Sequence, residues 1–157
     1  LIDTNYFSTR TGARTFETAA TLRSLGANPT EASNFLKDDY EEFELKTAVL
    51  NKAIKYENYI IVPYEEQVLS RTMISIVANE LLKVSGIEAS FVISPLGENK
   101  IGISARSKGQ FNVQMVMEAM GGGGHFSMAA VQKDATTVSE MADELLNEIA
   151  AQQKMEG

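Results

Sequence analysis

Residues 121–125 read GGGGH, four glycines followed by the one histidine of the chain. Glycine loses more conformational freedom on folding than any other residue, so no regular helix runs through four of them. Whatever precedes the run must end or turn there. Val113, Val116, Met117 and Met120 recur at helical spacing just before it, so a helix is expected to arrive at Gly121 and stop. Bare backbone also has a chemical use. Consecutive N–H groups with no Cβ between them can approach an anion closely, and phosphate oxygens suit such an array, more so with a helix N-terminus behind it. The stretch HFSMAAV is expected to supply that helix, with His125 adding a hydrogen bond to phosphate. A surface turn with a capping histidine is the other reading that Gly121, Gly122, Gly123, Gly124 and His125 allow.

Composition narrows the choice of partner. The chain has 157 residues, 44% of them hydrophobic and 22% charged, which suits a packed domain and is too apolar for disorder. No cysteine is present, so disulfides, thiolate zinc sites and cysteine nucleophiles are excluded, and one histidine excludes a multi-histidine metal site. No apolar run is long enough to span a bilayer, and the chain is expected to be soluble. The net charge of −7 repels long polyanions, so no long nucleic acid is expected as a partner. Two stretches are locally basic: Arg10, Arg14 and Arg23 against Asp3 and Glu17, and Lys100, Arg106, Lys108 and Lys133 against Glu118. That distribution suits a small anionic ligand in a pocket.

Along the chain, LIDT reads as a strand end, and its start at Leu1 suggests a piece of a longer protein. Ala13, Phe16, Ala19, Ala20 and Leu25 predict a helix closed by Gly26, and NPTE predicts another with Asn28 as cap and Glu31 completing a capping box. A longer connector helix is expected from about Asp39 to Lys55, with Tyr40, Phe43, Leu50 and Ile54 on one face. NYIIVP reads as a buried strand, Val68 to Leu81 as a helix ended by Gly86, and ASFVIS–PLGEN–KIGISAR as a β-hairpin. TVSE opens a last helix burying Val138, Met141, Leu145 and Ile149. From residue 57 the expected order is β-α-β-β-α, glycine loop, α, which makes one mixed sheet flanked by helices, an α/β fold.

Two more stretches carry candidate chemistry. Arg106 emerges at the end of a predicted strand with Ser104 and Ser107 beside it, where open α/β sheets bind ligands, and its planar fork suits phosphate or a base edge. An exposed arginine on a hairpin strand is the plainer alternative. Asn112 reads as a helix N-cap. Asp3 closes an apolar strand, a position that suits a hard divalent metal such as Mn²⁺ or Mg²⁺ or simply a loop cap. Arg10 and Arg14 bind phosphate or pair with carboxylates elsewhere.

DTNYFSTRTGARTFETAATLRSLGA is similar to the last conserved segment of the DHH phosphoesterase domain, and GISARSKGQFNVQMVMEAMGGGGHFSMAA resembles the signature of the DHHA1 domain that follows it. The resemblance implies residues 1–37 as the C-terminal end of a DHH domain, 38–56 as a linker helix and 57–157 as a DHHA1 substrate-binding domain. FSTRTGARTFE and GIEASFVIS look most like the membrane-tethered cyclic di-AMP phosphodiesterases, which carry transmembrane helices, a PAS domain and a degenerate GGDEF domain upstream. The implied reaction is hydrolysis of cyclic di-AMP to linear pApA with two Mn²⁺ ions. Asp3 would bind metal, Gly121–Gly124 and His125 would grip substrate phosphate, and Ser104, Arg106 and Ser107 would face the substrate across the cleft. The Asp-x-Asp and Asp-His-His motifs of the family are absent here, so this chain alone is expected to be inactive without the missing DHH half. An oligoribonuclease or pAp phosphatase of the same family, and a non-catalytic nucleotide- or RNA-binding DHHA1 module, are the alternatives. A homodimer is plausible for the family, and the parent is expected at the cell membrane with its catalytic part in the cytoplasm.

Overall fold

The structure, a computed structural model, describes residues 4, 7, 10–35, 37 and 39–156. The chain divides into two compact units, Leu1–Tyr40 and Glu41–Gly157. In the first, α1 (Ala13–Ser24) and α2 (Pro29–Asn34) form where spacing and capping predict them. Asn28 caps α2 by accepting from the Thr30 N–H at 3.0 Å. Its side-chain amide, rather than its backbone N–H, donates to Glu31, so the expected capping box is replaced by a side-chain pair.

The second unit is built on a six-stranded mixed sheet in the order β1-β2-β3-β4-β6-β5. The strands are β1 (Ile54–Lys55), β2 (Tyr59–Pro63), β3 (Ala89–Gly97), β4 (Lys100–Ser107), β5 (Gly123–His125) and β6 (Met128–Asp134). β2 and β3 run parallel, joined by the crossover helix α4 (Arg71–Leu81), and the other neighbours are antiparallel. The β3–β4 hairpin turns on Glu98 and Asn99, both at positive φ, which is the two-residue turn whose twist matches the strands.

Each face of the sheet buries its own cluster, because successive strand residues point to opposite sides. On one face Tyr59, Ile61, Phe91, Ile93, Ile103 and Val131 pack against Val116 and Met117 of α5 (Val113–Ala119) and against Met141, Leu145 and Ile149 of α6 (Val138–Glu156). On the other, Ile60, Val62 and Val92 meet Met73, Ile74, Val77 and Leu81 of α4, together with Val49 of α3 (Tyr40–Leu50).

Three expectations change here. α3 stops at Leu50 rather than Lys55, and Ile54 enters β1 instead of extending the helix. The residues α3 turns inward are Leu45, Val49 and Leu50, while Tyr40 and Phe43 are exposed. HFSMAAV is not a helix: Phe126 and Ser127 form a tight turn and Met128 begins β6. Alternation decides this, since Ala129 and Val131 are buried toward α5 and Met128, Ala130 and Gln132 are exposed.

Candidate functional site

The glycine run begins as a helix end. Gly121 has φ 87° and its N–H donates to the Glu118 carbonyl at 2.9 Å, while the Gly122 N–H donates to the Met117 carbonyl at 2.7 Å. That pair of bonds is the Schellman closure of α5, with Met120 as C-cap. Gly123 and Gly124 then enter β5, the outer strand, paired with Ala130 and Ala129 of β6. The two-residue turn makes His125–Met128 the hydrogen-bonded closing pair, so by alternation Gly123 is also bonded to β6 and the Gly124 N–H is the one that faces outward. The expected concave array of four outward amides on a following helix is therefore not formed. Steric need explains two of the glycines instead. A Cβ on Gly122 would run into the Ala130 carbonyl and Val131, and one on Gly124 into Ala129 and the Met128 carbonyl.

What the run does build is one wall of a cleft of about 590 Å³. Gly121, Gly122, Gly123 and Gly124 form one side, and Arg71, Ile74 and Ser75 of α4 the other. The floor runs from Ser104, buried at the foot of α4, and Arg106 of β4 to their register partners Ala130 and Met128 on β6, which α4 leaves uncovered. Glycine, serine and alanine leave room where larger residues would fill the groove. Ser104 and Arg106 are two apart on one strand and so share this face.

The cleft is cationic. Arg106 is half-buried, and its guanidinium donates to the Ala105 carbonyl at 2.9 Å and to Ser75 Oγ at 3.1 Å. Ser75 Oγ in turn lies 3.3 Å from Ser104 Oγ. Burial pushes the Arg106 guanidinium down from the usual arginine range, so an anion placed beside it would relieve the desolvation. At the rim, exposed Arg71 donates to Gln132 Oε1 at 2.7 Å. Among the described residues neither arginine meets a carboxylate, whereas Lys52, Lys83, Lys100 and Lys133 each pair with a glutamate. No Asp or Glu among the described residues lines the cleft. Two guanidinium groups turned into an acid-free groove are suited to phosphate, which they can meet with paired N–H donors.

The remaining sequence candidates fall elsewhere. Ser107 follows Arg106 and points to the opposite face, beside Ala89 and Ala105, where its Oγ is buried without a partner among the described residues. His125 is exposed at the outer end of β5 and does not line the cleft. Asn112 caps α5 by accepting from the Met115 N–H at 3.2 Å, as expected. Asp3 lies outside the described residues, and Arg10 and Arg14 are exposed. Among the described residues no three His, Cys, Asp or Glu side chains converge, so they do not fit a two-metal centre and no step through a metal follows from them. Arg71, Ser75 and Gln132 are the site residues that motif reading missed, because only the crossover of α4 brings them to β4 and β6.

Residues 57–154 match the DHHA1 domain model. The chain belongs to the DHHA1 family. Over 99% of its length it is 39% identical to the cyclic-di-AMP phosphodiesterase PdeA of Listeria monocytogenes, covering 24% of that protein. Over 95% of its length it is 37% identical to the cyclic-di-AMP phosphodiesterase GdpP of Bacillus subtilis, covering 23% of it. The chain thus spans about a quarter of the length of these relatives. Its fold matches an exopolyphosphatase-related protein from Bacteroides fragilis with a TM-score of 0.84 at 16% identity, over 98% of this chain and 48% of that one. The DHHA1 sheet, the glycine segment and the arginine-lined cleft all lie in the second unit.

Proposed function

We propose that this chain is the substrate-holding half of a phosphodiesterase that hydrolyses cyclic di-AMP to linear pApA. The observation that carries the reading is the acid-free cleft into which Arg106 and Arg71 turn without carboxylate partners among the described residues. Similarity to two cyclic-di-AMP phosphodiesterases over nearly the whole chain supports the choice of ligand. In this reading Arg106, held by Ser75 with Ser104 beside it, binds a phosphodiester. The glycine wall lets the nucleotide approach the sheet closely, with the Gly124 N–H as a backbone donor. His125 reaches substrate from the outer end of β5. The two Mn²⁺ ions, which would supply the attacking hydroxide, belong to the intact parent, with Asp3 as the one ligand from this chain and the others on the missing DHH half.

The test is calorimetric titration of the 157-residue chain with cyclic di-AMP, alongside a hydrolysis assay in Mn²⁺. The chain is expected to bind without turnover, and Arg106→Ala to weaken binding by about tenfold or more, the loss of one charge-assisted contact. Unchanged binding in Arg106→Ala would sink the assignment of the cleft. Turnover by the chain alone would sink the division of labour between the halves.

A further inference from the structure

The cleft holds two cationic stations, and only the Arg106 end was visible as a motif. On the helix wall, Arg71 and Ser75 are one turn apart, about 5–6 Å between Cβ atoms. On the floor, the Arg106 guanidinium reaches Ser75 Oγ beside Ser104, and Ser104 lies two residues along β4 from Gly102, the register partner of Gln132, a distance of about 7 Å. Arg71 with Gln132 therefore forms a cluster separate from Arg106 with Ser75 and Ser104. The gap between them is of the order of one nucleotide unit.

The chemistry of the second cluster is that of a donor pair. An arginine has no acceptor, so the atom of Gln132 that meets Arg71 must be Oε1, as found. Gln132 is left presenting its Nε2 hydrogens beside the guanidinium. A base edge that needs both a donor and an acceptor is poorly matched by such a pair, whereas a phosphate, which only accepts, is well matched. Among the described residues no carboxylate lines the cleft to neutralise it.

We propose that Arg71 and Gln132 form a second anion station, which takes the second phosphate of a dinucleotide while Arg106 holds the first. This rests on reading the cleft as a nucleotide site, and it makes the site selective for ligands with two phosphates over those with one.

The experiment titrates the 157-residue chain with pApA, with cyclic di-AMP, and with ApA, which has the internal phosphodiester but no terminal phosphate. The wild-type chain is expected to bind pApA at least about tenfold more tightly than ApA. Arg71→Ala and Gln132→Leu should each bring that ratio close to one by weakening pApA more than ApA, and Arg71→Lys should keep part of it. Arg106→Ala should weaken ApA and pApA alike and preserve the ratio. Equal binding of ApA and pApA by the wild type overturns the second station and leaves the Arg106 site standing. So does a ratio that survives Arg71→Ala while the thermal midpoint falls, since that is the behaviour of a clamp between α4 and β6. If binding of all three ligands is indifferent to Arg106, or absent in the wild type, the nucleotide reading and the second station both fall.

Discussion

The two faces of the central sheet are made from the same strands and do opposite things. The face under α5 and α6 is closed: Phe91, Ile103, Met117, Leu145 and Ile149 are all within 1% of full burial. The face under α4 is covered over β2, β3 and β4 but left open at β6, where Met128, Ala130 and Gln132 remain exposed. Large residues alternate with small ones along the same strands, so Ile103 and Val131 serve the closed side while Ser104 and Ala130 keep the other side low. The lesson is one of division. A groove lined by glycine, alanine and serine adds little apolar burial, so the stability that holds it in shape comes from the core behind the sheet and from the cluster that seats α4.

The sharpest way to break that comparison is to remove the centre of the closed face. Phe91 is fully buried and edges against Tyr59 and Phe111 at 6.3 and 5.8 Å between ring centroids. Phe91→Ala is expected to lower the unfolding free energy by about 3–5 kcal/mol in denaturant titrations. A loss below about 1 kcal/mol would mean the closed face does not carry the fold. A smaller effect should come from the glycine wall, and it should differ between neighbours. Gly122→Ala drives a methyl into the backbone of β6 and is expected to cost about 1–3 kcal/mol. A Cβ on Gly123 meets nothing, so Gly123→Ala should stay within about 0.5 kcal/mol of wild type. Equal losses at the two positions would show that the wall does not rest on β6.

Where pattern and period agreed, the sequence was a good guide. Tyr59–Pro63, the 89–107 hairpin and α4, which begins at Arg71 rather than Val68, follow from apolar spacing, and α5 and α6 from it together with the Asn112 cap and the Thr137–Glu140 box. The mixed sheet followed from their order. The stretch 125–131 was misleading because alanine and methionine favour helices, and only the burial of Ala129 and Val131 across β4 overrides that preference. Strand alternation already separates Ser107 from Arg106, so its place on the far face was legible in principle. Arg71 and Gln132 were not legible. They lie 61 residues apart, and no local rule ties the first residue of a crossover helix to a later strand. The amides of Gly121 and Gly122 were misjudged for a related reason: the helix end uses them before any ligand can.

The smallest expected effect compares the two faces by pH. Tyr59 sits in the closed cluster and Tyr64 in the one beneath α4. Burial, and then the neighbouring Tyr56, pushes the Tyr59 phenol up from 10.0, while burial and then Glu66 push Tyr64 up, opposed by Lys52. A phenol whose pKa is raised in the folded state favours folding while it is protonated. Its contribution is complete below the unfolded value near 10 and is lost as pH rises through the higher folded value. The thermal midpoint should therefore show no tyrosine-dependent fall up to about pH 10 and then decline, in step with ultraviolet phenolate absorbance. Tyr59→Phe and Tyr64→Phe should each remove part of that decline, and a decline unchanged in the double variant would assign alkaline unfolding to other groups. If only Tyr59→Phe shifts it, the face beneath α4 opens to hydroxide before the closed face does, as a sheet with one uncovered side should.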